Sequence, residues 1–432
     1  MKRSYISIFL LFITLNLSAQ SVATSFSVAG IKVILKPTNK DVIDVNMYYR
    51  GGVANYPASK AGLENLALAA ATEAGTKKYT GNAFRTRAET YGIDMGGSST
   101  YDFGLISMTC ISRFFNEGWN LFTEAVNNPV FDQRELELLK EKVISGVKQS
   151  ESDPDERIEQ LTMQNAYAGT PYATDPNGDE ASLSKLTAVD IKNYYYNTLL
   201  NKNRVFIVIV GNISKEAVTS KIMASFAKMP VKPYKQVTLS NPVGVGKFLM
   251  EKRQLATNYI TASLNAPKVN SPDYLPFRLA ISNLSNKLFR EIRTKRNLSY
   301  APYAYATTRL MPYAVMYVST TEPKASVEIM IEELRKLRDN GFTEDELRSG
   351  KSNFITTNYM KEESSGAIAA ALGNAEIMGD WRIADEAADR VNKVTLDELN
   401  AVLKKYVKDL RWSYLGDEKI ANENVDVFKS KI

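Results

Sequence analysis

Residues 186–212 read "LTAVDIKNYYYNTLLNKNRVFIVIVGN", and this order of residues predicts a helix followed by a buried strand. Thr187 is a typical helix N-cap, and Asp190 supplies the acidic residue that favours a first helical turn. The run from Val205 to Val210 is continuously β-branched or aromatic, as expected for a strand in the middle of a sheet. The stretch therefore predicts a helix that leads the chain into the centre of a sheet.

The same pattern returns in the second half of the chain, where residues 394–417 read "VTLDELNAVLKKYVKDLRWSYLGD". Thr395 begins this helix 208 residues after Thr187. The strand ends at Gly416, which lies 205 residues after Gly211. The two stretches therefore have the same order of elements at nearly the same offset.

A second pair of stretches supports this offset. Residues 130–154 and residues 341–364 each begin with an aromatic residue and an acidic helix start, and each continues as a long amphipathic helix. The aromatic residues, Phe131 and Phe342, are 211 positions apart. Two independent pairs with similar offsets predict an internal duplication.

The duplication predicts two homologous domains of the α+β class. Residues 229–247 hold three prolines and two glycines, and we interpret them as a linker between domains at residues 21–228 and 248–432. Within each half, strands come first, then helices, then further strands. This order favours a mixed or antiparallel sheet with helices packed mainly on one face.

Composition excludes several classes of function. The 432-residue chain is 44% apolar and 24% charged, and its formal charge of +6 is spread along the chain, which does not favour nucleic acid as a partner. The sequence contains no histidine, so Ser-His-Asp and Cys-His catalysis and histidine-ligated metal sites are excluded. The single cysteine, Cys110, cannot form an intrachain disulfide, and its strand pattern predicts a buried thiol.

Residues 1–20 predict a cleavable signal peptide. Two basic residues precede an apolar run from residue 6 to residue 17, and two small residues follow it. We expect export to the periplasm or another extracytoplasmic space, with an uncleaved membrane anchor as the alternative. No later window is long and apolar enough to predict a membrane-spanning helix.

The segment "AGLEN", Ala61 to Asn65, has the spacing of the H-x-x-E-H zinc helix without its histidines. At helical pitch, Ala61, Glu64 and Asn65 are expected to lie on one face. Zinc chemistry needs two imidazoles one turn apart and a neighbouring carboxylate to deprotonate the metal-bound water. Alanine offers no ligand and the asparagine amide is a weak one, so this helix is not expected to hold zinc.

Residues 51–84 as a whole resemble the corresponding segment of the pitrilysin family of inverted zincins, in the smaller bacterial branch related to mitochondrial processing peptidase. The resemblance implies that the zinc histidines of the family fall on Ala61 and Asn65. It also implies that the general base falls on Glu64 and the third ligand, a glutamate, at or near Glu141. With both histidines lost, the resemblance implies a chain that binds no metal or cofactor and a base position at Glu64 that is vestigial.

Residues 288–306, "LFREIRTKRNLSYAPYAYA", resemble the Arg-x6-Tyr segment of the same family. The resemblance implies that Arg293 and Tyr300 bind substrate held at a zinc site. Without the resemblance, the basic stretch would indicate a solvated helix face, and Tyr300, Tyr303 and Tyr305 would indicate strand residues packed on a sheet.

Residues 91–110 resemble the edge strand of the family along which a substrate backbone is laid. Such pairing recognises peptides through main-chain hydrogen bonds and tolerates many sequences. Gly96 and Gly97 would allow close backbone approach, although glycines here are also typical of a bulge or a strand end.

Taken together, the resemblance implies half of a clamshell: a non-catalytic subunit of a heterodimeric zinc metallopeptidase. The partner would be a homologous subunit that carries the zinc, and the substrate a peptide or unfolded polypeptide. Two alternatives stay open. One is a proteolytically silent scaffold or peptide-binding protein of this fold, and the other is an enzyme that uses Glu64 and Glu141 with another metal.

Overall fold

The computed structural model describes residues 22–237, 239, 248–430 and 432. The predicted signal peptide, residues 1–20, lies outside the described residues, as do residues 238 and 240–247 of the predicted linker. In the part of the chain that is described, no helix is long and apolar enough to cross a membrane.

The first half of the chain builds a six-stranded sheet. Its strands are β1 (Thr24–Val28), β2 (Ile31–Pro37), β3 (Val42–Arg50), β4 (Asp94–Ser99), β5 (Phe103–Ile111) and β6 (Val205–Gly211). They lie in the order β1-β2-β6-β3-β5-β4, and every neighbouring pair is antiparallel except β2 and β6, which are parallel. The predicted central strand, β6, is buried along its whole length.

In its described residues, the second half builds a five-stranded sheet of the same design. Its strands are β7 (Phe248–Lys252), β8 (Asn258–Asn265), β9 (Tyr303–Ala306), β10 (Tyr313–Thr320) and β11 (Arg411–Gly416). The order is β7-β11-β8-β10-β9, with β7 and β11 parallel and the other pairs antiparallel. Strand for strand this repeats β2-β6-β3-β5-β4, which confirms the predicted pair of homologous units.

Sixteen helices accompany the sheets in the described residues. Those of the first half are α1 (Leu63–Glu73), α2 (Gly81–Thr90), α3 (Phe115–Asn127), α4 (Gln133–Ser152), α5 (Pro154–Ala166), α6 (Glu180–Leu183), α7 (Ala188–Tyr194) and α8 (Lys215–Phe226). Those of the second half are α9 (Tyr274–Leu288), α10 (Pro323–Asn340), α11 (Glu344–Lys361), α12 (Ser365–Ile377), α13 (Arg382–Asp385), α14 (Ala387–Asn392), α15 (Leu396–Tyr406) and α16 (Glu418–Glu423). Two of them, α7 and α9, run on into π-helical turns at Tyr195–Leu199 and Phe289–Thr294.

The repeated helix starts have the predicted caps. The Thr187 side chain accepts the backbone N–H of Asp190, whose carboxylate accepts the Thr187 N–H in return, forming a capping box at the start of α7. Thr395 and Glu398 form the equivalent box at the start of α15. Both helices then lead into the strand that lies beside a parallel neighbour, β6 or β11.

Most helices pack against one face of the sheet of their own half, as predicted, and one helix from each half packs on the sheet of the other half. Helix α12, from the second half, lies on the far face of the first sheet against β3 and β6. Helix α5, from the first half, lies on the far face of the second sheet against β8 and β11. Since α5 follows α4 just as α12 follows α11, the exchange is symmetric and interlocks the two halves.

Close packing and buried charges hold α12 in place. A Cβ atom on Gly373 would lie 2.1 Å from the ring of Tyr48, so the tyrosine can reach the helix backbone only at a glycine. The buried carboxylate of Glu376 binds the Lys32 ammonium at 2.7 Å and the Arg50 guanidinium at 2.9 Å. These contacts all join the second half of the chain to strands of the first.

Strand β5 carries the single cysteine on its inner face. Ile106, Met108 and Cys110 alternate along β5 and are all buried, as the period-2 pattern predicts. Burial raises the pKa of the Cys110 thiol to about 11. The thiol is therefore a packing group.

Candidate functional site

The carboxyl group of Glu64 is completely buried at the start of α1. Its Oε2 accepts hydrogen bonds from Tyr194 OH at 2.5 Å and from Asn55 Nδ2 at 2.9 Å. Its Oε1 accepts one from Ser99 Oγ at 3.3 Å. These donors come from three separate elements, so the carboxyl group points into the protein and has no surface that a substrate could reach.

Burial shifts the acidity of this group. Loss of hydration raises the pKa of Glu64 to about 7, although the Tyr194 and Asn55 hydrogen bonds and the nearby charge of Arg204 oppose the shift. Sequence reasoning missed Tyr194 and Asn55 as partners of Glu64. The signal available for Tyr194 was its place in a tyrosine-rich amphipathic helix, since a buried tyrosine hydroxyl normally finds a polar partner.

Asn65 holds the end of the edge strand β4. Its Oδ1 accepts the backbone N–H of Ser99 at 3.0 Å, next to the bond that the Ser99 hydroxyl gives to Glu64. A Cβ on Gly97 would lie 2.0 Å from the carbonyl oxygen of Leu68, so β4 and α1 approach as closely as glycine allows. The two polar side chains at the predicted zinc position therefore fix a strand in place.

The prediction that Ala61 shares a helix face with Glu64 is wrong. Helix α1 begins at Leu63, and Ala61 lies before it with φ −51° and ψ 137°. Gly62 separates the two with φ +84°, a left-handed conformation that glycine adopts without strain. Only glycine fits at this turn, because a Cβ on Gly62 would lie 2.8 Å from the backbone oxygen of Asn177.

Glu141 does not join Glu64 either. It lies on the exposed side of α4, and the adjacent Lys142 pairs with Glu73, at the opposite end of α1 from Glu64. Nine residues of helix separate Glu73 from Glu64, about 14 Å. The residues of α4 that line a cavity of about 220 Å³ together with Ala61 are Val147 and Glu151.

No set of metal ligands is present in this region. Among the described residues, no group of three or more histidine, cysteine, aspartate or glutamate side chains is arranged to hold a metal ion. A single buried carboxyl that already accepts three hydrogen bonds cannot also serve as a ligand without giving some of them up. The residues at the predicted zinc position therefore do not fit a zinc ion.

Arg293 and Tyr300 are brought together by the structure. Arg293 lies in the π-helical turn Phe289–Thr294, and its Nη1 donates to the backbone oxygen of Tyr300. The guanidinium carbon lies 3.8 Å from the centre of the Tyr300 ring and 5.4 Å from that of Phe289. Tyr300 is 79% exposed, so the pair forms a cation–aromatic stack at the surface.

Three other cations of this basic stretch pair with one carboxylate. Glu291 is buried and pairs with Lys295 at 2.9 Å, with Arg296 at 2.9 Å and with Arg290 at 3.2 Å. The hydrogen bonds from Lys295 and Arg296 lower the pKa of Glu291 to about 2. Among the described residues Arg293 has no such carboxylate partner, and it contacts Tyr300 instead.

Strand β4 is an open edge. Within the described residues it pairs with β5 alone, through Asp94 to Ser99, and its other edge offers backbone N–H and C=O groups. Of the predicted edge strand at residues 91–110, residues 94–99 lie at the edge, whereas residues 103–110 belong to β5, which is paired on both sides. The counterpart of β4 in the second sheet is β9, the edge strand that follows Tyr300.

Comparison with known proteins now identifies the family. Residues 32–177 match the family described as insulinase (peptidase family M16), and residues 185–354 match the domain described as peptidase M16 inactive domain. The chain belongs to peptidase family M16. This confirms the family predicted from the sequence, and the match to the inactive domain fits a non-catalytic role for the chain.

Relatives of this M16 chain cover nearly its full length. The non-peptidase homolog YmxG of Helicobacter pylori is 20% identical over 388 residues, which make up 87% of this chain and 89% of that protein. A solved protease from Helicobacter pylori has the same fold, with a TM-score of 0.81 at 16% identity over 91% of this chain and 99% of that one. The periplasmic protease PqqL of Escherichia coli matches with a TM-score of 0.75 at 16% identity, over 96% of this chain but 49% of its own.

Proposed function

We propose that this M16 chain is the non-catalytic subunit of a heterodimeric zinc metallopeptidase. It would bring Arg293 and Tyr300 to a peptide held at the zinc of a homologous partner subunit. The observation that carries this proposal is the surface stack of Arg293 on Tyr300, in a segment where Glu291 pairs with the three neighbouring cations instead.

The two side chains suit the handling of a peptide bond. A guanidinium can form two parallel hydrogen bonds to a carboxylate or one to a carbonyl oxygen, and a phenol can donate to a carbonyl oxygen as negative charge develops. Arg293 already uses one N–H on the Tyr300 backbone, which fixes its position and leaves its other donors for a ligand. Glu64 cannot contribute to the same chemistry, because it is fully buried.

The open edge of β4 supports a peptide or unfolded polypeptide as the substrate. A substrate strand that pairs with β4 would be recognised through its backbone, with little demand on its sequence. The same edge supports a second candidate, a peptide-binding protein that takes no part in catalysis. The two candidates differ in whether Arg293 affects the rate at which a partner cleaves peptides.

The size relation to PqqL supports a partner subunit. This chain corresponds to about half of that protease, so an assembly of comparable size needs a second M16 chain. The partner is proposed to supply the zinc. We also propose that the chain is exported, on the basis of residues 1–20, and cell fractionation of the full-length protein that finds it in the cytoplasm would refute this.

The test combines this chain with a homologous subunit that carries an intact H-x-x-E-H helix. Cleavage of a fluorogenic unfolded peptide is measured for the wild-type chain, for Arg293→Ala and for Arg290→Ala. The Arg290 variant is the matched control, since Arg290 lies one helical turn earlier and pairs with Glu291. We expect Arg293→Ala to lower kcat/KM about 100-fold and Arg290→Ala to change it less than about twofold.

Each outcome separates the candidates. If Arg293→Ala leaves cleavage unchanged while the wild-type chain stimulates its partner, the assigned role of Arg293 is wrong. If the chain binds the peptide tightly but stimulates no partner, the peptide-binding candidate replaces the peptidase subunit.

A further inference from the structure

A cavity of about 410 Å³ lies in the second half of the chain, between α9, α11 and the exchanged helix α12. Its size falls in the range of small-molecule sites. It is separate from the π-helical turn that carries Arg293 and from the buried Glu64, and none of the residues considered so far as substrate-binding lines it.

The charged side chains that line this cavity are both cations, Arg278 on α9 and Lys361 at the end of α11. No aspartate or glutamate is among the described lining residues, although 24% of the chain is charged. Three asparagines, at positions 353, 358 and 374, add amide groups to the wall. The cavity therefore favours a negatively charged ligand.

Arg278 is held in place without using its hydrogen-bond donors on an acid. Its guanidinium carbon lies 5.0 Å from the centre of the Phe354 ring and 5.8 Å from that of Tyr274. Rings on the face of a guanidinium leave the N–H groups at its edge available, because those groups lie in the guanidinium plane. Within the described residues Arg278 has no ion pair, and a half-buried cation of this kind is stabilised by a bound anion.

Much of the remaining wall is apolar, including Leu275 and Leu279 on α9, Phe354 on α11, Ala375 on α12 and Ile383 on α13. Hydroxyl groups of Ser282, Thr308 and Thr357 also line it. A hydrated inorganic ion would leave this surface unfilled, whereas an apolar or aromatic group would cover it. We propose that the cavity binds a small organic anion whose carboxylate or comparable acidic group pairs with Arg278 and whose apolar body lies against the aliphatic wall.

The test uses 4-phenylbutyrate and its uncharged counterpart 4-phenylbutanamide, titrated into the whole chain by calorimetry. The matched pair isolates the charge, since the two probes have nearly the same shape. We expect saturable binding of the acid and binding of the amide weaker by about tenfold or more, as a charge-assisted hydrogen bond implies. Inorganic phosphate, which lacks an apolar body, should compete poorly.

Three variants locate the site. Arg278→Gln should abolish the preference for the acid, and Ala371→Phe, at an exposed position of α12 that lines the cavity, should block both probes. Arg348→Gln is the control, because Arg348 lies on the same α11 but is 73% exposed and pairs with Asp345. The affinity of the Arg348→Gln variant for the acid should match that of the wild-type protein.

Several results would overturn the assignment. One is the absence of saturable binding of the acid up to about 10 mM, because the dissociation constant of a ligand of this size should lie below that concentration. A second is equal affinity for the acid and the amide. A third is unchanged binding of the probes by both Arg278→Gln and Ala371→Phe. Stronger binding of inorganic phosphate than of the acid would also contradict an organic ligand.

Discussion

Replacement of Glu64 by glutamine should change how the stability of the protein depends on pH. Glutamine keeps the shape of the side chain and most of its hydrogen bonds, but it cannot ionise. In the wild-type protein the pKa of Glu64 rises from an ordinary value of 4.5 to about 7, mainly because the group is fully buried. The variant therefore removes one titration without opening a cavity.

The sign and size follow from proton linkage. Between pH 4.5 and 7 the folded protein retains a proton that the unfolded chain releases, so the free energy of unfolding falls as the pH rises. The stability contributed by the protonated group is complete below pH 4.5 and is lost as the pH passes through 7. Over the interval from pH 5 to pH 8 the loss is about 2–3 kcal/mol, and Glu64→Gln should escape it.

Urea unfolding followed by tryptophan fluorescence measures this difference, since the chain has three tryptophans. The quantity to compare is the free energy of unfolding of the variant minus that of the wild type, which should rise by about 2–3 kcal/mol from pH 5 to pH 8. Glu141→Gln, at an exposed position of α4, is the control and should give a flat difference. If the difference for Glu64→Gln is also the same at pH 5 and pH 8, the conclusion that the buried Glu64 carboxyl keeps its proton in this range is refuted.

Three further changes test the same framework. Tyr194→Phe removes the hydroxyl that donates to Glu64 at 2.5 Å and should destabilise the protein by about 1.5–3 kcal/mol at pH 8. The loss should be smaller at pH 5, where the carboxyl is protonated, and the same urea titrations measure both values. Gly97→Ala places a methyl group 2.0 Å from a carbonyl oxygen of α1 and should cost about 1–3 kcal/mol, whereas Gly96→Ala, with its nearest neighbour 3.7 Å away, should cost far less; thermal unfolding compares the two. Glu376→Gln breaks both ion pairs to the first sheet and should cost about 2–4 kcal/mol, and equal melting temperatures for variant and wild type would contradict the role given to the exchanged helix.

Local sequence patterns were sufficient to predict the repeated helix–strand pairs of the two halves. The helix caps at Thr187 and Thr395 and the apolar run of β6 depend on nearest neighbours, and the structure has each of them in place. The strand order could not be read in the same way, because pairing of β6 between β2 and β3 joins residues far apart in the chain. The packing of α5 and α12 on the sheet of the other half could not be predicted either, because an amphipathic helix does not specify which sheet covers its apolar face.

The candidate site also depends on long-range contacts that local sequence does not predict. The i, i+3, i+4 spacing of Ala61, Glu64 and Asn65 assumes an unbroken helix, and the assumption fails at Gly62, which takes a left-handed conformation in close contact with the neighbouring loop. Whether a lone glutamate is solvated or buried also depends on partners supplied by other elements, here chiefly Tyr194. The conformation at Gly62 and the burial of Glu64 therefore both involve contacts with distant parts of the chain, which the local sequence pattern does not show.

The two halves place polar side chains near their edge strands in opposite ways. In the first half, the polar side chains at the start of α1 turn inward and bind Ser99 at the end of the edge strand β4. In the second half, the segment that follows α9 and leads to the edge strand β9 buries Glu291 but carries Tyr300 at the surface, with Arg293 stacked on it. A carboxyl that is closed to solvent can act on stability but not on a substrate, whereas a partly exposed cation without a carboxylate partner among the described residues can make the proposed contact with one. The structural role of Glu64 and the binding role proposed for Arg293 thus follow the direction in which each polar group points, and that direction is set by the packing of each half.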